Sequence, residues 1–154
     1  MRMSDFIVHN AIIPELKSTD KEGVIRELLE SLFSKGCFKD VEIEDIIKAV
    51  LKRESLGSTG IGDGIAIPHT KYSGVDKLVG VLGVSPKGIN FGSRDGDPVF
   101  VFVLIISPVD QPVVHLRALE TVSRILRDEP LVKALRSCTS ADQLFEQLNQ
   151  YSKN

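Results

Sequence analysis

The chain is poor in cysteine, with only Cys37 and Cys138 among 154 residues. Two thiols make no disulfide framework, and they fit a reducing, cytoplasmic setting. Charge of one sign is also missing. Lys and Arg number 19 against 21 Asp and Glu, a formal net charge of -2, and neither end carries a charged tail. Without a basic field the chain is not expected to bind nucleic acid. The longest apolar run, Val99 to Ile106, is too short to cross a bilayer, so no direct membrane insertion is expected. Asp5 and His9 flank Phe6-Ile7-Val8 with no cationic stretch ahead of a long apolar one, and no secretory signal is expected. There is no Pro/Gly/Ser-rich linker, low-complexity tract or internal repeat. A single domain over residues 1–154 is expected, with residues 1–10 as a loose lead-in. A chain of this size buries roughly 68–70% of its unfolded surface.

What is present is a succession of periodic segments. Thr19 with Glu22 offers a capping box, and Val24, Ile25, Leu28, Leu29, Leu32 and Phe33 follow at helical spacing until Gly36. Asp40 is the expected cap of a second helix carrying Ile43, Ile46, Ile47, Val50 and Leu51, with Arg53 and Glu54 near its end. Ile65-Ala66-Ile67 reads as a short buried strand ended by Pro68. Lys77 to Ser85 reads as a strand, residues 87–92 as a turn and short return strand, and residues 93–97 as a turn. Val99 to Ile106 reads as a strand buried on both faces. Asp110 is the expected cap of a helix reaching about Arg127, and short helices follow from Pro130 and Ser140. This order predicts an α/β fold, a mixed β-sheet flanked by helices on both faces.

The segment from Arg53 to Lys71, RESLGSTGIGDGIAIPHTK, concentrates unusual chemistry. Gly57, Gly60, Gly62 and Gly64 permit positive φ or close approach of another group. His69 is presented just past the strand end, with Arg53 on the preceding element. A cation beside an imidazole at a sheet rim suits phosphoryl chemistry, Arg53 acting as a charge clamp. By itself His69 reads as a surface histidine after a proline turn and Arg53 as a solvated helix end; the four glycines just before His69 shift its reading toward close approach by a ligand or another backbone. His115 falls in the first turn of the helix expected after Asp110. It shares a face with Leu119, Val122 and Leu126, so a core histidine and an active-site histidine are both open. A helix N-terminus holds an anion and keeps a nearby imidazole neutral, the nucleophilic form. No Gly-Lys-Ser/Thr follows the glycines, so a P-loop is not expected, and Gly57-Ser58-Thr59-Gly60 is not the serine nucleophile elbow. Only His69, His115 and, distantly, Asp63 qualify as metal ligands, so neither a metal nor a cofactor is expected.

LGSTGIGDGIAIPHTK, with His115 of VVHLRALETVSRIL 46 positions after His69, resembles the enzyme IIA domain of the bacterial phosphoenolpyruvate–sugar phosphotransferase system. The likeness is to the mannitol/fructose type, closest to its nitrogen-regulatory branch, and runs from about Ile12 to Leu148. It implies a mixed sheet flanked by helices and a phosphoryl-accepting role for His69. His115 and Arg53 would stabilise the phosphoryl oxygens, assisted by Ser58, Thr59 and Gly60. The implied donor is HPr or its nitrogen-branch counterpart; the implied recipient is an enzyme IIB domain or a regulatory target. A module whose phosphorylation state only controls partner docking, without sugar transport, is the alternative. Thr70 stands where this family usually has a small residue.

Overall fold

In the computed structural model, residues 1–152 are described. Five helices, α1 (Lys21–Ser34), α2 (Ile43–Ser55), α3 (Pro112–Ile125), α4 (Glu129–Ser137) and α5 (Ala141–Ser152), surround five strands. The strands are β1 (Gly60–Gly62), β2 (Ile65–Ala66), β3 (His69–Lys71), β4 (Val79–Ile89) and β5 (Val99–Ser107). The sheet is mixed and covered on both faces, as the order of periodic segments predicts.

β5 is the spine. β4 runs antiparallel to it, while β2 and β3 run parallel to it. Residues 65 and 66 lie opposite 101 and 102, and residues 69 to 71 opposite 105 to 107. The offset is 36 residues in both places, so β2 and β3 are one strand in register, interrupted at Ile67-Pro68. Proline has no N–H to donate, but its carbonyl still accepts from the Ile105 N–H at 2.9 Å. His69 therefore opens a strand. It does not lie just beyond one, as the proline suggested.

Side chains alternate across β5. Phe102, Leu104 and Ile106 enter a core with Val24, Leu28 and Ile46 of α1 and α2. Val101, Val103 and Ile105 enter a second core with Ala118, Leu135 and Leu144 of α3, α4 and α5. A strand buried on both faces must be apolar throughout, hence its unbroken hydrophobic run.

Several expectations are corrected. Residues 1–10 are not a loose lead-in: Met3 is fully buried, and Phe6 and Ile7 nearly so. Gly80 and the 6–8 segment exchange backbone hydrogen bonds, and Ile13 does the same with Leu82 and Val84, so the N-terminal segment extends the sheet beyond β4. Gly80 is required there, because a Cβ would lie 3.0 Å from the Leu104 carbonyl oxygen. Asp20, not Thr19, caps α1, its side chain accepting from the Gly23 N–H at 2.7 Å. Glu42, not Asp40, precedes α2, and Asp40 takes a left-handed conformation with φ 53°. Gln111, not Asp110, precedes α3, with Pro112 in the first turn. The return strand expected at 87–92 is the end of β4 itself, which shifts register against β5 between Val84 and Ile89.

Met3→Ala tests the packed N-terminus. Urea denaturation should show a loss of about 2–5 kcal/mol, the cost of a cavity at a fully buried site. A change within about 0.5 kcal/mol would restore the loose lead-in.

Candidate active site

The register of β3 places His69. Its partner on β5 is Ile105, and paired residues project to the same side of a sheet. Ile105 faces the core built with α3, so His69 is turned toward the helix that carries His115. The ring centroids lie 5.5 Å apart with planes inclined at 54°. His115 is buried, yet its ring adjoins His69. The two readings open for it in sequence, core and site, thus describe one position.

The hydrogen bonds define which atoms are available. His69 Nδ1 is 2.6 Å from the Ile67 carbonyl oxygen. A carbonyl only accepts, so Nδ1 carries the proton and donates it. Nε2 is then the bare, nucleophilic nitrogen. The Ile67 N–H meanwhile donates to the Thr59 carbonyl at 3.0 Å, which ties the broken strand to the glycine loop. His115 Nδ1 lies 2.7 Å from Oγ of Ser107, the last residue of β5, which is itself fully buried.

Burial, the largest influence, and the Arg53 charge both push His69 below its ordinary 6.5; the bond to Ile67 and the Glu54 charge oppose them. His115 is pushed down to about 4, by burial first and then by His69, Lys71 and Arg53. Both rings are therefore neutral near pH 7.

The glycine loop is anchored by a residue with no obvious sequence signal. Glu54, 5% exposed, accepts from the Thr59 N–H at 2.9 Å, from Thr59 Oγ1 at 2.6 Å and from Lys21 Nζ at 2.9 Å. A buried carboxylate without such partners would be costly. Gly60 is required by contact, since a Cβ would meet Ser93 Oγ at 2.4 Å. Gly62 and Gly64 have φ of 99° and 78°, which glycine adopts freely.

Beside His69 lies a cavity of about 190 Å³ whose walls include Arg53, Ser58, Thr59, Arg94 and Ser123. Arg53, half-buried, donates to the Gly57 carbonyl at 3.2 Å, and among the described residues no carboxylate pairs with it. The other expected phosphoryl contacts are already engaged within the protein. Ser58 Oγ donates to the Phe91 carbonyl at 3.3 Å and accepts from the Gly60 N–H at 3.1 Å, while Thr59 Oγ1 donates to Glu54. Thr70, on β3, pairs with Ile106 of β5, and the extended backbone accommodates its β-branch. The arrangement thus brings together Arg53, Ser58, Thr59, His69 and His115. It adds Glu54, Arg94, Ser107 and Ser123, which sequence reasoning passed over. Asp63 stands apart, on the turn between β1 and β2.

A neutral imidazole with one nitrogen locked and the other bare, beside an unneutralised arginine, is the equipment of a phosphohistidine carrier. Residues 5–151 match the family model described as phosphoenolpyruvate-dependent sugar phosphotransferase system, EIIA 2, and the chain belongs to this family. It is thus a component of a phosphotransferase system. It is 33% identical over 148 residues to a nitrogen regulatory protein of Bradyrhizobium diazoefficiens, covering 96% of this chain and 95% of that one. The crystal structure of nitrogen regulatory protein IIA-Ntr from Neisseria meningitidis superposes with TM-score 0.86 at 23% identity, over 95% of this chain and 98% of that one. The enzyme IIA of mannitol from Escherichia coli, solved in complex with phosphorylated enzyme IIB, superposes with TM-score 0.77 at 27% identity, over 93% of this chain and 96% of that one.

Histidine titration by NMR tests the electrostatics. His115 should titrate near pH 4 and His69 below 6.5; a midpoint of 6.5 for His115 would contradict its burial. Because both folded pKa values are depressed, the folded protein binds fewer protons than the unfolded chain between these values. The stability that the neutral rings contribute is complete above pH 6.5 and declines as pH falls toward 4.

Proposed function

We propose that this chain is a phosphocarrier that accepts a phosphoryl group on Nε2 of His69 from the phosphohistidine of an HPr-like carrier. It then passes the group to an enzyme IIB-type domain or uses it as a regulatory switch. The observation that carries the reading is the 2.6 Å bond from His69 Nδ1 to Ile67, which commits one nitrogen and frees the other.

In the transfer, Nε2 attacks phosphorus in line as the donor's P–N bond breaks. The donor imidazole leaves with that bond's electron pair, and a new P–N bond forms at His69. Nδ1 keeps its proton, and the positive charge that develops on the ring is stabilised by the Ile67 carbonyl. Transfers of this kind depend on positioning and electrostatics. Arg53 neutralises charge on the phosphoryl oxygens. His115 donates to one of them from Nε2–H, which requires Ser107 to donate its hydroxyl proton to Nδ1 at 2.7 Å. Ser58, Thr59 and Gly60 serve mainly by holding the loop in shape.

Partner docking has a visible basis. Leu56, Ile61, Val113 and Leu116 are large apolar residues exposed at 80%, 39%, 67% and 65%. They belong to the end of α2, the glycine loop and the start of α3, the three segments around the two histidines. Exposed apolar groups of this kind mark protein contact surfaces. Among the described residues no helix is long and apolar enough to cross a membrane, and a cytoplasmic setting suits the two free cysteines. The similarity to a nitrogen regulatory protein along nearly its whole length supports a switching role, in which added negative charge alters docking.

Incubation with phosphoenolpyruvate, enzyme I and HPr should add one phosphoryl group, detected by intact mass and mapped to His69. The product should be acid-labile and base-stable. His69→Ala should abolish the label; a label that survives names another nucleophile. His115→Ala should slow transfer by roughly 10²–10³, the usual cost of losing one oxyanion donor. An unchanged rate in both directions would leave His115 a core residue.

A further inference from the structure

Once phosphorylated, the site is short of positive charge. A phosphoryl group carries about −1.5 to −2 at pH 7. Both imidazoles are depressed and enter the reaction neutral. Lys21 is paired with Glu54, and Lys71, whose charge bears on His115, is not in the wall of the cavity beside His69, leaving Arg53 as the one unneutralised cation of that wall so far assigned to the phosphoryl group. The donors first expected to help are engaged inside the protein: Ser58 with Phe91, Thr59 with Glu54, and the Gly60 N–H with Ser58.

One further cation borders the same cavity. Arg94 sits on the turn between β4 and β5 and shares the cavity wall with Arg53 and His69. Its backbone is fixed against the glycine loop, the Arg94 N–H donating to the Gly60 carbonyl at 3.2 Å. The turn is braced by Asp95, which accepts from the Asp63 and Asp97 N–H groups at 3.0 Å each. The side chain is exposed, and among the described residues no carboxylate or hydrogen-bond acceptor engages its guanidinium. The root is thus anchored while the charged end is free. In the resting site the charge of Arg53 bears on both imidazoles.

We propose that Arg94 is a second phosphoryl-binding residue, its guanidinium closing over the cavity to pair with the phosphoryl oxygens on His69 opposite Arg53. This rests on the carrier reading above. Two guanidinium groups flanking one phosphoryl group match its charge and its several acceptor oxygens, and arginine presents paired donors to them. Ser123 Oγ, on the α3 side of the same cavity, also has no partner among the described residues and completes the ring of donors.

Phosphoramidate, a small donor with no carrier-protein surface to dock, separates this role from partner docking. Rates of His69 labelling by phosphoramidate, read by intact mass, are compared for the parent, Arg94→Ala and Arg94→Lys. Arg94→Ala should be slower by about 10-fold or more, consistent with loss of one charged donor, and Arg94→Lys should recover part of the loss. The phosphorus resonance of the phosphorylated protein gives a second readout, one that a merely structural residue would not move. The phosphoryl pKa should rise in Arg94→Ala by about 0.5–1 unit, because an opposite charge has been removed. Parental labelling rates together with an unchanged phosphoryl pKa in Arg94→Ala would overturn the proposal while leaving His69 as acceptor. Absence of label on the parent, from phosphoramidate and from HPr alike, would overturn the carrier reading and this inference with it.

Discussion

The hydrogen bond from His69 Nδ1 to the Ile67 carbonyl is the contact on which the site depends. It exists because the parallel strand beside β5 is interrupted at Ile67-Pro68 and resumes in register. Ile67 turns its N–H to Thr59 and its carbonyl to the imidazole two residues on. Regular pairing then restarts at His69 against Ile105. The backbone on both sides of the ring is thereby held by β5, so the bare Nε2 is aimed by the sheet, a more rigid support than a loop.

Electrostatics follow from that placement. A histidine facing the α3 core loses part of its hydration, and burial keeps it neutral and reactive. His115 lies deeper against Ser107 and is more strongly depressed. Positive charge is kept at the rim on arginines free of carboxylate partners, while the one buried carboxylate beside the site, Glu54, is matched by Lys21 and Thr59. The result is a pocket with unneutralised positive charge at its rim and a resting state that remains satisfied.

Much of this was legible in the sequence, and the failures have physical causes. The helices and β5 were visible because each buries a periodic face or is buried all round. Helix starts were displaced by a residue or two because neighbouring Thr19 and Asp20 both offer a capping oxygen, while Asp40 and Asp110 lie just outside helices that begin without a side-chain cap. β3 was hidden, since Pro-His-Thr reads as a break and its partner is 36 residues distant. The N-terminal segment looked loose because Phe6-Ile7-Val8 is short and flanked by polar residues. In the site, His69, Arg53 and the glycine loop declared themselves by composition. Glu54 did not, because its partner Lys21 lies 33 residues away on another helix, and Arg94 belongs to a turn with no periodic pattern.

Nitrogen-15 and phosphorus-31 NMR of the isotopically labelled, phosphorylated protein is the most direct test of the locked-ring account. Phosphorus should couple to Nε2 of His69, with a slowly exchanging proton retained on Nδ1. Phosphorus bonded to Nδ1, or to any nitrogen of His115, would contradict it.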